Sequence, residues 1–355
     1  AARTDDSTLK QACERFWKHL VSAQMYVTGG IGGFASNEGY GADFDLPNQT
    51  AYAETCAAIG LVFWASRMVN LDCDSRYADV MERALYNGVL SGVSLDGTRF
   101  FYENPLASTG THHRQAWFGC ACCPPNIARL LASLGQYGYS YSETDIAVHL
   151  YIQGLVTLAV AGQSVTVSQT TDYPWDGRVA LTVSLDEAAS FRLRLRLPGW
   201  CRDPRISLNG AAVTLEMVQG YAVIEREWQR GDIVTLEMPM PVERVSSSPR
   251  ISYNRSRVAL QRGPIVYCLE AADNGPDLDW ISLPSDTAFA AEFEPGLLGG
   301  VTVLRGEAQR LSAKGWEGTL YQSGPAVTET VQIKAIPYFA WDNRAAGEML
   351  VWIRE

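Results

Sequence analysis

Three cysteines in four positions, Cys120-Ala121-Cys122-Cys123, run directly into Pro124-Pro125-Asn126. Thiols this dense, placed ahead of two prolines, are hard to explain by packing and easy to explain as metal ligands or nucleophiles. A second short run, Glu54-Thr55-Cys56, offers a carboxyl and a further thiol. Zinc takes thiolates and carboxylates in a tetrahedron, and Glu54, Cys56, Cys122 and Cys123 would fill it. The pairs are tighter than the usual Cys-x-x-Cys. Residues two apart on an ideal helix point about 200° from one another, so Glu54 and Cys56 share a metal only if the entry to their helix is distorted or the site lies between their directions. The residue types leave open a structural zinc knot, an iron–sulfur fragment and plain buried thiols.

The prolines suit a first helical turn, where no N–H is needed. A cysteine just before it sits at the positive end of the helix dipole, so Cys122 or Cys123 is expected as a thiolate at neutral pH. Glu38 is the candidate proton donor, because a carboxyl among Phe34, Tyr40 and Phe44 would have its pKa raised by desolvation. A solvated loop glutamate is the plainer alternative. His112 and His113 could be ligands, substrate contacts or surface residues; His149 is read as structural, and His19 carries no signal. Trp117, Phe118, Tyr102 and Tyr40 could stack on a sugar ring or simply pack. Gly29-Gly30-Ile31-Gly32-Gly33 lacks the strand, helix and Lys-Ser/Thr of a phosphate loop, and nucleotide binding is not expected.

These residues need positioning elements. Helical spacing predicts helices over 7–26, capped by Asp6 or Ser7, over 51–69, over 75–90, and from the prolines to about Tyr137. Between the first two lies a long glycine-rich stretch, 26–49, whose aromatic content points to a functional loop. Asp96-Gly97 is a hairpin signal within 94–118. Near Asp145 the period changes to two, and alternating runs separated by Gly, Asn and Asp turns predict a β-sandwich. Ser246-Ser247-Ser248-Pro249 reads as a joint before a second β-rich stretch. The expected layout is α+β and multidomain: a helical module, 1–143, with the catalytic site, then β-sandwiches over 144–245 and 246–355. No short repeat or low-complexity tract appears.

At 355 residues, 47% hydrophobic and 19% charged, the chain is globular. No stretch reaches the roughly 18 consecutive apolar residues that a membrane span needs, and a membrane protein is not expected. A net charge of -10 repels phosphate backbones, so nucleic acid is an unfavoured partner and a neutral or weakly polar substrate fits better. The opening Ala-Ala-Arg-Thr-Asp-Asp has no secretory leader pattern. Eight cysteines, three of them together, argue against a disulfide framework and for a reducing, cytoplasmic compartment.

Met25-Tyr26-Val27-Thr28-Gly29-Gly30-Ile31-Gly32, Asn37-Glu38-Gly39-Tyr40, Tyr52-Ala53-Glu54-Thr55-Cys56-Ala57, Glu82-Arg83-Ala84-Leu85-Tyr86-Asn87 and above all Cys120-Ala121-Cys122-Cys123-Pro124-Pro125-Asn126 resemble the zinc- and cysteine-dependent β-L-arabinofuranosidases of glycoside hydrolase family 127. The resemblance implies a retaining glycosidase with a thiolate nucleophile. Glu54, Cys56, Cys122 and Cys123 would hold Zn2+, Cys122 would attack the anomeric carbon, and Glu38 would be acid and base; Cys120 has no assigned duty. Substrates would be β-L-arabinofuranosides or related plant-wall oligosaccharides. The family's catalytic module is an (α/α)6 barrel of twelve helices, and the four or five expected here correspond to the second half of that barrel. A chain completing the barrel, or a homo-oligomer, is therefore an expected partner, because apolar helix faces would otherwise be exposed. The alternatives are a carbohydrate-binding protein with structural zinc, an inactive portion of such a hydrolase, and a hydrolase using metal-bound water with Glu38 as base.

Overall fold

The computed structural model describes residues 6–355. Helix α1 (Ser7–Ala23) starts where Asp6 accepts the Thr8 N–H at 2.8 Å. It ends before the expected Tyr26 because Met25 bridges back to Ile31. Helix α2 spans Thr55–Asp72 rather than starting at Ala51, and α3 spans Ser75–Arg83 behind an Asp74 cap. The expected continuation of α3 to residue 90 is present in altered form: Ala84–Val89 widen into a π turn, a register change that hydrophobic spacing cannot reveal. Helix α4 covers Cys123–Ala132, followed by a 3-10 turn over Leu134–Tyr137.

The helices share a core of Trp17, Leu20, Ile59, Val62, Met68, Tyr77, Met81 and Leu130. Gly29, at φ +76, lets the glycine loop press on α3: a Cβ there would stand 2.7 Å from the Ala84 backbone. That contact, not a phosphate, accounts for the glycine at that position. The outer side of α1 exposes Leu9 and Phe16, the latter at 68%, as expected for an uncovered apolar face.

The expected sandwich is present as two sheets. One orders Glu216–Val218, Tyr221–Trp228, Ala189–Arg196, Asp145–Val148 and Tyr139–Tyr141; the other orders Gly154–Val160, Gln163–Thr171, Arg178–Ser184, Ile233–Glu237, Arg205–Leu208 and Ala211–Ala212. Inward residues such as Val167, Leu181, Leu193, Leu195 and Trp228 fill the space between them. The sandwich is tied to α3 by a buried ionic node. Arg196, fully buried, donates to Glu82 and, at 2.6 Å, to Asp79, while Tyr173 and Trp200 also donate to Glu82.

The second β module has a single ten-stranded sheet in place of two separate layers. Arg257–Arg262, Ile265–Glu270, Thr328–Pro337, Val301–Leu311, Ile281–Ser282 and Ile353–Arg354 pair in turn, and Ile353–Arg354 returns to Arg257–Arg262, so the ladder closes into a ring. Alternation divides the ring's residues in two. Val258, Leu260, Tyr267, Leu269, Leu304 and Ala335 fill its inside, while Ala259, Val266, Cys268 and Ile336 face outward onto Tyr26, Ala51, Ala53 and Phe101. The outer face of the ring thus supports the segment that leads into α2.

Candidate metal centre and active site

Glu54 is the N-cap of α2, with ψ 136, and so lies outside the helical register. Ala53 before it has φ +38, a conformation that an L residue rarely adopts. This distorted entry turns the Glu54 carboxylate back toward Cys56. Cys122 is the N-cap of α4, and Cys123 its first residue, followed by the two prolines. Two helix starts therefore meet. One carboxylate oxygen of Glu54 and the Sγ atoms of Cys56, Cys122 and Cys123 all lie within 4.8 Å of one another.

The donor set fits zinc. Tetrahedral thiolate ligands at the usual Zn–S distance are about 3.8 Å apart, and a thiolate and a carboxylate oxygen about 3.6 Å apart. Cys122 and Cys123 Sγ are 3.7 Å apart, and they stand 3.4 and 3.7 Å from Glu54 Oε1. Among the described residues these four form the one cluster of this kind.

The thiols are not equivalent. Hydrogen bonding from Cys123 draws the Cys56 pKa down to about 6, with Asn126 and Cys122 adding to it against the cost of burial. Burial, above all, pushes Cys122 up to about 11. Cys123 is raised, chiefly by its hydrogen bond to Cys56. Among the three thiols Cys56 therefore has the lowest pKa. The helix-start field reaches all these groups, but burial and mutual hydrogen bonding decide the order among them.

Tyr102 joins the cluster through its hydroxyl, 3.0 Å from Cys122 Sγ. The Cys122 S–H is directed at Glu54 and the Tyr102 oxygen, and once that proton is lost the phenol can donate to the thiolate. The sequence suggests Tyr102 only as a stacking surface; its hydroxyl contact was not legible there. Phe118 packs edge-on against it, 5.4 Å between ring centroids. Asn126, at the end of the cysteine run, keeps a buried Oδ1 without a partner among the described residues.

The mount of this site is a pair of short extended segments. Thr55 N–H donates to Tyr102 O at 3.0 Å, Asn104 N–H to Tyr52 O at 3.1 Å, and the Asn104 amide donates to Ala53 O and Thr55 Oγ1, each at 2.9 Å. Glu54 and Tyr102 are therefore fixed on facing segments.

Glu38 differs from its expected setting. Phe34 bridges Gly39 across the short turn Ala35–Asn37, and Glu38 sits at the tip with φ +46 and its side chain exposed. Of the aromatics expected to desolvate it, Tyr40 is 46% exposed, and Phe34 and Phe44 are half-buried. Glu38 does act on the site's surroundings. The Tyr52 phenol, whose pKa burial raises most, is raised further by Glu54 and then by Glu38, and its ring lies 6.1 Å from that of Tyr102.

The histidines are not ligands. His112 stacks on Phe101 and contacts Glu103 O at 3.0 Å; His113 pairs with Asp342 at 2.7 Å. His149 is buried between Tyr221 and Ser140, at 2.7 and 2.8 Å, and His19 pairs with Asp43 at 3.2 Å. Cys120 is exposed and Trp117 is 61% exposed. All eight cysteines are free of disulfides. No helix among the described residues is long and apolar enough to cross a membrane.

Comparison with known proteins agrees with this geometry. Profiles of the GH127 β-L-arabinofuranosidase catalytic domain, the GH127 middle domain and the family 127 C-terminal domain match residues 1–136, 145–240 and 242–354. A non-reducing end β-L-arabinofuranosidase from Bifidobacterium longum subsp. longum is 38% identical over 98% of this chain and 56% of its own length. The crystal structure of a GH127 β-L-arabinofuranosidase from Geobacillus stearothermophilus T6 superposes with a TM-score of 0.98 at 50% identity, covering all of this chain and 58% of that one. A second solved GH127 β-arabinofuranosidase gives 0.94 at 39% identity, over all of this chain and 57% of its own. The chain spans little more than half the length of the relatives it matches. With three family profiles running in order along nearly all of its length, and the same fold in solved members, the chain belongs to glycoside hydrolase family 127.

Proposed function

We propose that the chain is the second half of the barrel and the β modules of a retaining glycoside hydrolase that releases terminal β-L-arabinofuranose, or a related sugar, from plant-wall-derived oligosaccharides. One observation carries the reading: Glu54, Cys56, Cys122 and Cys123 converge on one point while the Tyr102 hydroxyl reaches Cys122. The named activities of the relatives supply the glycone. Zn2+ held by those four residues would keep Cys122 ionised at neutral pH.

The Cys122 sulfur attacks the anomeric carbon. A C–S bond forms as the C–O bond to the leaving group breaks, and Glu38 gives its proton to the departing oxygen. In the second step Glu38 takes a proton from water, the water oxygen attacks the same carbon, and the C–S bond breaks to return the thiolate. Two inversions retain configuration. Tyr102 donates its O–H to the sulfur and stabilises the charge there. The exposed position of Glu38 leaves it accessible to a sugar.

The proposed division is 1–143, 144–245 and 246–355, the proposed setting a reducing, cytoplasmic one, in keeping with eight free thiols. Exposed Leu9 and Phe16 favour a homo-oligomer or a further chain that completes the barrel. A second reading, a carbohydrate-binding protein with structural zinc, draws on the solvent exposure of Glu38.

The deciding experiment treats the purified chain with a cysteine-reactive β-L-arabinofuranosyl cyclophellitol-type inactivator, maps the adduct by peptide mass spectrometry and measures zinc on the same sample. An adduct on Cys122 with about one zinc per chain is expected. Zinc without an adduct supports the structural reading; neither zinc nor adduct overturns the assignment.

A further inference from the structure

The segment 112–115 joins the ring module to the thiol site. Arg114, with a side chain only 1% exposed, donates to Ser91 O from Nε at 3.1 Å and from Nη2 at 2.8 Å, to Phe339 O at 3.2 Å, and to Trp341 O. Its guanidinium lies 4.3 Å above the Phe101 ring, and Phe101 packs against both His112 and Trp341, each 4.9 Å away and 6.1 Å from one another. Asp342 fixes the same segment from the other side. One carboxylate oxygen accepts His113 Nδ1 and the other the Arg114 backbone N–H, both at 2.7 Å, while the Asp342 N–H donates to Glu270 at 2.9 Å. Asp342 holds φ +58, so its backbone is bent to make these contacts.

Phe101 is where this brace meets the site. Its carbonyl accepts Thr55 Oγ1 at 2.9 Å, its neighbour Tyr102 accepts the Thr55 N–H, and Tyr102 reaches Cys122. Tyr338 of the same ring module donates to Asn104 O at 3.1 Å and Pro105 O at 2.9 Å, at the far end of that segment. A path of hydrogen bonds and stacked rings thus runs from Asp342 through Arg114 and Phe101 to Tyr102, Thr55 and the four ligand atoms.

We propose that Asp342 and Arg114 are positioning residues for the thiol centre: the ring module, through them, sets where Tyr102 and Glu54 stand. The planar guanidinium makes four hydrogen bonds from three nitrogens to three carbonyl groups while lying flat over an aromatic face; a lysine ammonium, with three N–H groups on one nitrogen, cannot match that spread. The proposal rests on the reading that Glu54, Cys56, Cys122 and Cys123 are the functional site.

The test compares wild type with Asp342→Asn and Arg114→Lys by hydrogen exchange of the whole chain, read by peptide, and by the rate at which bound zinc passes to a chelating dye. Asp279→Asn, which removes a charge from an exposed ion pair elsewhere on the same module, is the control. Expected is at least a tenfold loss of protection in peptides covering 52–56 and 100–105 with protection of 265–269 unchanged, and zinc release about tenfold faster, as loss of outer partners costs other metal sites. Unchanged protection at 52–56 and 100–105 in both variants overturns the proposal, and so does an equal loss at 265–269, which would be general destabilisation. A wild-type chain that binds no zinc defeats the functional reading instead, and the exchange pattern still decides the inference.

Discussion

Cys122 and Cys123, neighbours in sequence, hold their Sγ atoms 3.7 Å apart, the edge length of a zinc–thiolate tetrahedron. Adjacent residues seldom present side chains to one point. Here Cys122 caps the helix and already holds helical dihedrals, φ -79 and ψ -41, and Cys123 is the first helical residue, so the two sulfurs meet at the start of one turn.

Replacing Cys123 or Cys56 by Ser should remove the metal. Zinc content is expected to fall from about one per chain to near zero, and the thermal midpoint to become indifferent to chelator, because binding energy at such a site is folding energy. Metal analysis beside melting curves with and without chelator would check this; full zinc content in either variant would count against the ligand set.

Cys122→Ser and Glu38→Gln should separate chemistry from structure. Both are expected to lose turnover, Glu38→Gln by about 10²–10⁴-fold, with sugar affinity retained. Substrates with a good leaving group should restore the first step in the glutamate variant alone, seen as accumulation of the Cys122 adduct. Similar residual rates on all substrates would exclude Glu38 as the acid.

The Tyr102 hydroxyl, 3.0 Å from Cys122 Sγ, can donate to the Cys122 thiolate, so Tyr102→Phe should make that thiolate harder to form. In chelator-treated protein the rate of Cys122 alkylation near neutral pH is expected to fall roughly tenfold, the scale of one charge-assisted hydrogen bond. Peptide-resolved labelling with iodoacetamide reads it, and an unaltered rate would sever Tyr102 from the nucleophile.

Arg196, Glu82 and Asp79 form a buried node between α3 and the sandwich. Glu82→Gln leaves the fully buried Arg196 short of a charge partner, and a loss of about 3–5 kcal/mol is expected on removing one member of such a pair. Urea unfolding would measure it.

His149 supplies a pH dependence. Burial, with Arg196 adding, depresses its pKa from 6.5 to about 3. Between those values the unfolded chain binds a proton that the folded chain refuses, so stability rises with pH there; acidification below 6.5 removes about 1.4 kcal/mol per pH unit until the folded pKa is reached. The same measurement on His149→Asn should give a shallower slope between pH 6.5 and 4, while equal slopes would mean that other groups govern the acid limb.

What the sequence conveys about this site is local, and what it conceals is not. The four ligands are legible because each pair is contiguous and the prolines mark a helix start. The change of period is legible at Asp145, where the strand Asp145–Val148 begins, although the sandwich already starts with Tyr139–Tyr141. Glu54 and Cys56 look incompatible on an ideal helix, and only the cap geometry with Ala53 at φ +38 reconciles them. The exposure of Glu38 follows from the Phe34–Gly39 bridge, and residue composition says nothing of which way a turn tip points. Asp342 and Arg114 are 228 positions apart, and no periodicity links them. Likewise, alternation announces strands in the last module but not that their ladder closes on itself.

That closure also sets an order in time. Synthesis releases the cysteine run long before Asp342 and before Ile353–Arg354, the strand that returns to Arg257–Arg262. A nascent chain therefore presents its thiols before the residues proposed to brace Tyr102 and Glu54 have been made. On the proposal that Asp342 and Arg114 position the thiol centre, the ring module is the last part of the mount to be made.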